Sequence, residues 1–293
     1  MKDFTKEREN LEKIRRLKRN EHMTLSLGSF SQEGRYCLIF PWAEGGDLDN
    51  LWKNGNSRLR TPELALWSLR QMFGLTETLE ALHLGFDEET NCRHGDLKPQ
   101  NILHFLTNEE GILKITDFGI SSIHENTTFE RKETPTVTRA TTPSYQAPEA
   151  APALLEKQPR SRKYDIWSMG CIFLEFTIWL VGSWKDVESF NEERKPEPTT
   201  DASLSHFYDI MNGMPRVHPV VDRRITQLKM SSRIEQGTAL GDLLELIEKH
   251  LLKVEVKERF DAGKLCQSLR DIVQKAESGP IYPFTNTSSA ALP

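Results

Sequence analysis

The stretch Ile166–Val181 constrains this chain more than any other part of it. It is the longest apolar run, and Ser168, Glu175 and Thr177 interrupt it. Spanning a bilayer takes about 20 consecutive, mostly apolar residues, so the run is too short and too polar to do so. The alternative is a buried helix, expected over Tyr164–Leu180. Burying it takes a sizeable body of chain. The 293 residues, 37% hydrophobic and 28% charged, suffice for one large domain or two modest ones. A net charge of -5 argues against a general nucleic-acid binder, which carries a basic field. Cys37, Cys92, Cys171 and Cys266 lie far apart without paired spacing. They read as reduced thiols of an intracellular protein, cytoplasmic or nuclear, and not as a disulfide frame or zinc site. The opening M-K-D-F-T-K-E-R-E-N is charged from its start, so no secretory signal is expected.

Phe4, Leu11, Ile14 and Leu17 recur at helical spacing among many charges, which predicts a one-sided helix over 4–19. Strand-like runs follow at Met23–Phe30 and Tyr36–Phe40, with Gly34 in the turn between them. After Glu44-Gly45-Gly46-Asp47, a short helix is expected over Leu48–Trp52. Thr61-Pro62-Glu63 combines a cap, a first-turn proline and an acid, so a helix should run from there to about His83, stopped by Gly85. Residues 92–119 alternate short apolar runs with polar turns, as paired short strands do. Residues 121–142, rich in Thr, Ser and Glu, read as a mobile surface loop, and the charged, Pro-containing 182–203 as a solvated excursion. Helices are expected near 204–212, 239–252 and 262–276, then a disordered tail from Ser278. No internal repeat is evident.

The segment His94-Gly95-Asp96-Leu97-Lys98-Pro99-Gln100-Asn101 carries chemistry. An Asp in a polar loop, a Lys two positions on and an Asn five positions on suit phosphoryl transfer. The carboxylate orients an attacking hydroxyl and accepts its proton. The Lys balances charge on the moving group, and the Asn oxygen helps hold magnesium. Further on, Lys114-Ile115-Thr116-Asp117-Phe118-Gly119 leaves a strand at an acid that can reach a metal, a Phe that can pack inward and a Gly that permits a sharp turn.

With these two motifs in order, the chain resembles the eukaryotic protein kinase family over roughly residues 4–276. Thr141–Glu149 looks like the family's substrate-docking segment ending in Ala-Pro-Glu. Asp165-Ile166-Trp167-Ser168-Met169-Gly170 looks like the start of its buried helix, and Arg259 sits where the partner of the Ala-Pro-Glu acid is kept. The resemblance implies an α+β fold: a mainly helical large lobe and a reduced N-terminal lobe of one helix and about two strands. Residues 1–40 would be the partial small lobe, 41–277 the hinge and large lobe, and 278–293 the tail.

It also implies roles for named residues. Asp96 and Lys98 would be catalytic, and Asn101 and Asp117 would hold Mg2+. Phe40, Pro41, Trp42, Ala43, Asp47 and Leu103 would surround ATP, with Phe40 behind the pocket, the backbone of 41–43 at the adenine edge, Asp47 at the ribose and Leu103 under the base. Glu7, or Glu9 in its place, would be the helix acid that pairs with a strand Lys. His94, Phe118, Gly119, Thr142, Glu149, Asp165 and Arg259 would be structural: Asp165 holds the backbone around His94, and Glu149 pairs with Arg259. Lys98, and Thr142 before Pro143, mark Ser/Thr acceptors on protein substrates.

The pattern departs from the family in two places. No Gly-rich phosphate loop is present and the strand Lys would lie upstream of Met1, so weak ATP binding and slow transfer are expected of this chain. Gly95 stands where most kinases carry an Arg that pairs with a loop phosphate, so phosphorylation at Thr134, Thr136 or Thr138 is not expected to be the switch. Two other readings stay open. His-Gly-Asp-Leu with a downstream Asn also resembles aminoglycoside and choline kinases, which Gly95 favours and Lys98, the docking segment and Arg259 oppose. A pseudokinase-type binding scaffold is favoured by the absent strands and opposed by the presence of Asp96, Asn101 and Asp117 together.

Overall fold

A computed structural model describes residues 12, 14, 15, 20–33, 35–55, 61–85, 90–106, 110–118, 124–125, 143–151, 161–196, 205–231, 234 and 237–278. The apolar run forms a helix, Lys163–Val181, deep in the chain's core. Glu12 and Ile14 are helical, and Ile14 is buried in the main core. Strands β1 (Gly28–Gln32) and β2 (Arg35–Ile39) form an antiparallel pair in which Gly28 faces Ile39 and Gln32 faces Arg35. The strand expected from Met23 starts five residues later. Met23 itself makes a parallel bridge to Ile115, and Thr24 N donates to Ile115 O at 2.9 Å, so this stretch is tied to the large lobe instead.

Helix α1 (Leu48–Asn54) is capped by Asp47, and α2 (Pro62–Leu84) by Thr61, whose hydroxyl accepts from Leu64 N. α2 ends at Gly85, at φ +69°. The short β3 (Thr90–Asn91) pairs with β6 (His124–Glu125), and β4 (Ile102–Phe105) pairs antiparallel with β5 (Ile112–Ile115). Those two residues of β6 are all that is described of the expected 121–142 loop, and the expected tail beyond Ser278 lies outside the described residues.

α3 (Lys163–Val181) is buried along nearly its whole length and is a core helix. Among the described residues it is the one helix long and apolar enough to be tested as a membrane span, and its burial inside the protein explains its composition. It packs against α4 (Trp184–Glu193), α6 (Ala239–Leu246) and the π turn Ile247–Leu251. Trp179 Nε1 donates to Trp52 O at 2.9 Å and fixes α1 to its far end. α7 (Ala262–Ser278) lies along α2 and α6. All four cysteines are free thiols.

Two expectations fail between α3 and α6. The 182–203 segment is not a solvated excursion where it is described. Ser183 and Asp186 form a capping box, and Val187 and Phe190, one turn apart, bury against the core, so α4 forms. Over the described residues 205–212 the expected helix does not form. Instead β7 (Tyr208–Met211) and β8 (Met214–Val217) form a hairpin. Its turn is Asn212-Gly213, both at positive φ (53° and 76°), the pair a two-residue hairpin turn requires. Helix α5 (Pro219–Lys229), which the sequence reading passed over, follows with proline in its first turn.

Candidate active site

The site is built outward from Asp165, in the first turn of α3. Its Oδ2 accepts from His94 N and lies 2.8 Å from His83 Nε2, and its Oδ1 accepts from Gly95 N, also at 2.8 Å. The carboxylate is fully buried. Burial alone would raise its pKa, but the His83 hydrogen bond, the two imidazoles and the Gly95 N–H outweigh this and hold it below the ordinary value. Gly95 sits at φ +84°, a conformation that costs an L side chain about 1–2 kcal/mol, which gives the glycine here a backbone reason. Arg162 Nη1 donates to His83 O and secures the end of α2 to the start of α3.

His94 has no exposure and uses both ring nitrogens. Nδ1 accepts from Asp96 N at 3.3 Å, so Nε2 carries the proton and donates to Thr116 O at 2.8 Å. Its ring meets Phe118 edge to face at 5.4 Å. His94 is therefore a brace between the 94–101 loop and the 114–118 segment, with no ring atom left for proton transfer.

Pro99–Asn101 form a 3₁₀ turn that brings Asn101 back over Asp96. Asn101 Nδ2 donates to Asp96 O at 2.7 Å and to Asp96 Oδ2 at 3.1 Å, and Lys98 Nζ lies 3.0 Å from the same Oδ2. The carboxylate is thus held from two sides in a nearly buried position. Thr116 N donates to Asn101 O at 3.0 Å, so the next residue, Asp117, follows directly from the Asn101 turn. Asp117 is exposed at φ +60°, in the left-handed region that Asp tolerates better than most residues. Among the described residues its carboxylate has no partner. Phe118 beside it is buried, as the packing on His94 requires.

The residues expected at the nucleotide are joined to this loop through β4. Gly45 N donates to His104 O, His104 N donates to Gly46 O at 2.8 Å, and Asp47 bridges to Leu103. Phe40 packs on the core and Leu103 is half-buried beside Asp47. One Asp47 oxygen caps α1 by accepting from Asn50 N at 2.8 Å. Pro41 and Ala43 are half-buried, and Ala43 O accepts from Gly46 N. Trp42 is exposed and packs on nothing in the core.

Arg259 uses all five N–H donors. Nη1 and Nη2 grip Glu149 at 2.8 Å each, and the remaining hydrogens reach the carbonyls of Lys253, Lys163 and Val254. Lys163 Nζ returns a bond to Arg259 O at 2.6 Å. Glu7, its alternative Glu9, Gly119 and Thr142 lie outside the described residues.

Sequence reasoning missed His83, Lys163, and the set formed by Tyr145, Glu175 and Arg194. In the sequence His83 marks only the end of a helix. Glu175 reads as an interruption of an apolar run, although a charge inside a fully buried helix is itself a signal that a partner must exist. A cavity of about 1250 Å³ lies near Glu149, Leu84 and Val256, and it shares no lining residue with Asp96, Asn101 or Asp117.

The family model described as protein kinase domain matches residues 2–269. The chain is 33% identical over 160 residues to the serine/threonine-protein kinase nekl-2 of Caenorhabditis elegans, covering 51% of this chain and 38% of that protein. It is 26% identical over 243 residues to the human serine/threonine-protein kinase Nek5, covering 82% of this chain and 30% of that one. The rice serine/threonine-protein kinase Nek3 is 32% identical over 161 residues, 54% of this chain and 24% of its own. The chain thus spans well under half the length of these relatives. A match over nearly its whole length shows that this chain belongs to the protein kinase domain family.

Proposed function

We propose that the chain transfers the γ-phosphoryl group of ATP to serine or threonine hydroxyls of protein substrates. The observation that carries this reading is the Asp96 carboxylate held by Asn101 Nδ2 and Lys98 Nζ, one backbone bond away from the segment bearing Asp117. Asp96 is placed to orient an acceptor hydroxyl and take its proton. Lys98, beside the same oxygen, offsets negative charge as the phosphoryl group moves.

The residues fit Mg2+. Asn101 uses its amide nitrogen on Asp96, which leaves its side-chain oxygen as the donor, and Asp117 presents a carboxylate with no partner among the described residues. Among the described residues no cluster of three His, Cys, Asp or Glu side chains forms a metal cage. A hard, hydrated ion held by one or two protein oxygens plus phosphates is the arrangement such a donor set suits. When bound, the ion neutralises phosphate charge. Asp117 and Asn101 would hold it, and Asp47, Leu103 and Phe40 would border the nucleoside.

The test is transfer from labelled MgATP to a panel of Ser, Thr and Tyr peptides, choline and an aminoglycoside. Transfer is expected on Ser and Thr peptides alone, and Asp96→Asn should lower it by about 10²–10⁴-fold. Transfer to the small molecules, or an Asp96→Asn rate equal to the parent rate, would overturn the reading.

A further inference from the structure

The C-terminal end of α4 buries a charge that the phosphotransfer site does not use. Arg194 is almost fully buried and lies between two aromatic faces, its guanidinium carbon 3.8 Å from the ring centroids of both Phe190 and Phe207. Nη2 donates to Asn191 Oδ1 at 2.6 Å and to Glu175 Oε1 at 3.4 Å. The other Glu175 oxygen accepts from Tyr145 OH at 2.7 Å. Tyr145 lies in the 3₁₀ turn Pro143–Tyr145 that leads into Ala-Pro-Glu. Ser168 Oγ also holds its carbonyl, at 2.8 Å, and its ring rests 6.0 Å from Phe207. The chain Arg194–Glu175–Tyr145 therefore runs from α4 through the middle of α3 into the docking segment.

We propose that Arg194 is a positioning residue for substrate docking, holding Tyr145 in place through Glu175. This rests on the kinase reading for what docks there, but not for the geometry itself. Glu175 has no exposure, and burial pushes its carboxyl up while Arg194 pulls it back down. With the guanidinium present, the carboxylate offers Tyr145 a charge-assisted acceptor, the shorter and stronger kind of hydrogen bond. Without it, a neutral acid in that place is a weaker anchor. Stability alone is a poor account of this arginine. Its Nε and Nη1 are buried with no hydrogen-bond partner, and a well-packed apolar side chain between Phe190 and Phe207 would avoid that cost. What the charge provides is an oriented contact to the segment that a substrate meets.

The experiment compares the full chain with Arg194→Met, Arg194→Lys, Tyr145→Phe and the double variant Arg194→Met/Tyr145→Phe. Hydrogen exchange is followed at Gln146, Ala150 and Ala151, whose amides close the turns of the docking segment, with the amides of α7 as internal reference. Arg194→Met should speed exchange in the segment by about 10-fold and leave α7 within about twofold, with Arg194→Lys in between. In steady-state kinetics the peptide KM should rise about 5- to 10-fold while kcat and the MgATP KM stay within about twofold. The double variant should be no worse than either single one, because both break the same link. A purely structural arginine would instead loosen α7 as well, or lower kcat with KM unchanged. Either result, additive effects in the double variant, or unchanged exchange at 146–151 would overturn the proposal. Should Arg194→Met not fold, Arg194→Lys and Tyr145→Phe carry the same exchange test. A parent chain that phosphorylates no peptide would sink the kinase reading while exchange still decides the role of Arg194.

Discussion

The floor of the site and the small N-terminal sheet are built on opposite terms. Around the catalytic loop the bracing side chains have internal partners, while the Asn101 oxygen and the Asp117 carboxylate stay open among the described residues. Asp165 is held by three donors, His94 uses both nitrogens and Arg259 uses all five N–H groups. In and beside β1 and β2, large apolar side chains lie open: Leu27 is 65% exposed, Phe30 48%, Ile39 44% and Trp42 83%. The geometry of Asp96 and Asn101 is therefore a property of the helical body. Residues 43–47 are tied to that body through backbone bonds to β4.

That contrast can be broken first at its strongest point. Asp165→Ala removes the acceptor for two buried backbone N–H groups and His83. Each hydrogen bond to a charged group is worth about 1.5–3 kcal/mol, so the three together predict a loss of about 4.5–9 kcal/mol in unfolding free energy, read in urea titration. Arg259→Met leaves Glu149 buried without its partner and should cost about 3–5 kcal/mol, read the same way. A pH series probes the body more gently. Burial lowers the pKa values of His22 and His206, and Asp165 is held below its ordinary value despite burial. Groups lowered in the folded state contribute stability above their ordinary range and lose it as pH falls. Thermal stability should decline as pH drops through the histidine reference value of 6.5, and again as it falls below the Asp reference value of 3.8. A flat profile from pH 7.5 to 5 would contradict the burial of those rings. On the other side of the contrast, Trp42→Ser and Leu27→Ser should each change stability by less than about 0.5 kcal/mol. A larger loss would show that the sheet is covered in solution. Smallest of all, replacing Thr134, Thr136 and Thr138 together with alanine should leave phosphotransfer within about twofold, since Gly95 offers no cation for a loop phosphate.

Much of this was legible in the chain because the site uses local spacing. Asp96, Lys98 and Asn101 fall within one turn of irregular backbone, and the Asp165 helix announces itself by its apolar length. Thr61-Pro62 and Gly85 marked both ends of α2 because caps are local chemistry. What stayed hidden depends on partners distant in sequence. Met23 looks like the start of a strand until Ile115 claims it. The charges of 184–193 mask Val187 and Phe190, whose apolar face matters only once α3 is beside them. The hairpin at 208–217 could have been read from Asn212-Gly213, a turn signal that a helical reading of the surrounding residues overrode. Arg194 gave no sign at all, because its burial between Phe190 and Phe207 is a tertiary fact.

In the proposed site, Asn101 and Asp117 share one metal ion with a nucleotide beside Asp96. Electron paramagnetic resonance of Mn2+ titrated into the chain with ATP tests it directly. Nucleotide-dependent Mn2+ binding by the parent chain is expected, weakened by about 10-fold or more in both Asp117→Asn and Asn101→Ala. Binding unchanged in either variant, or independent of nucleotide, would contradict it.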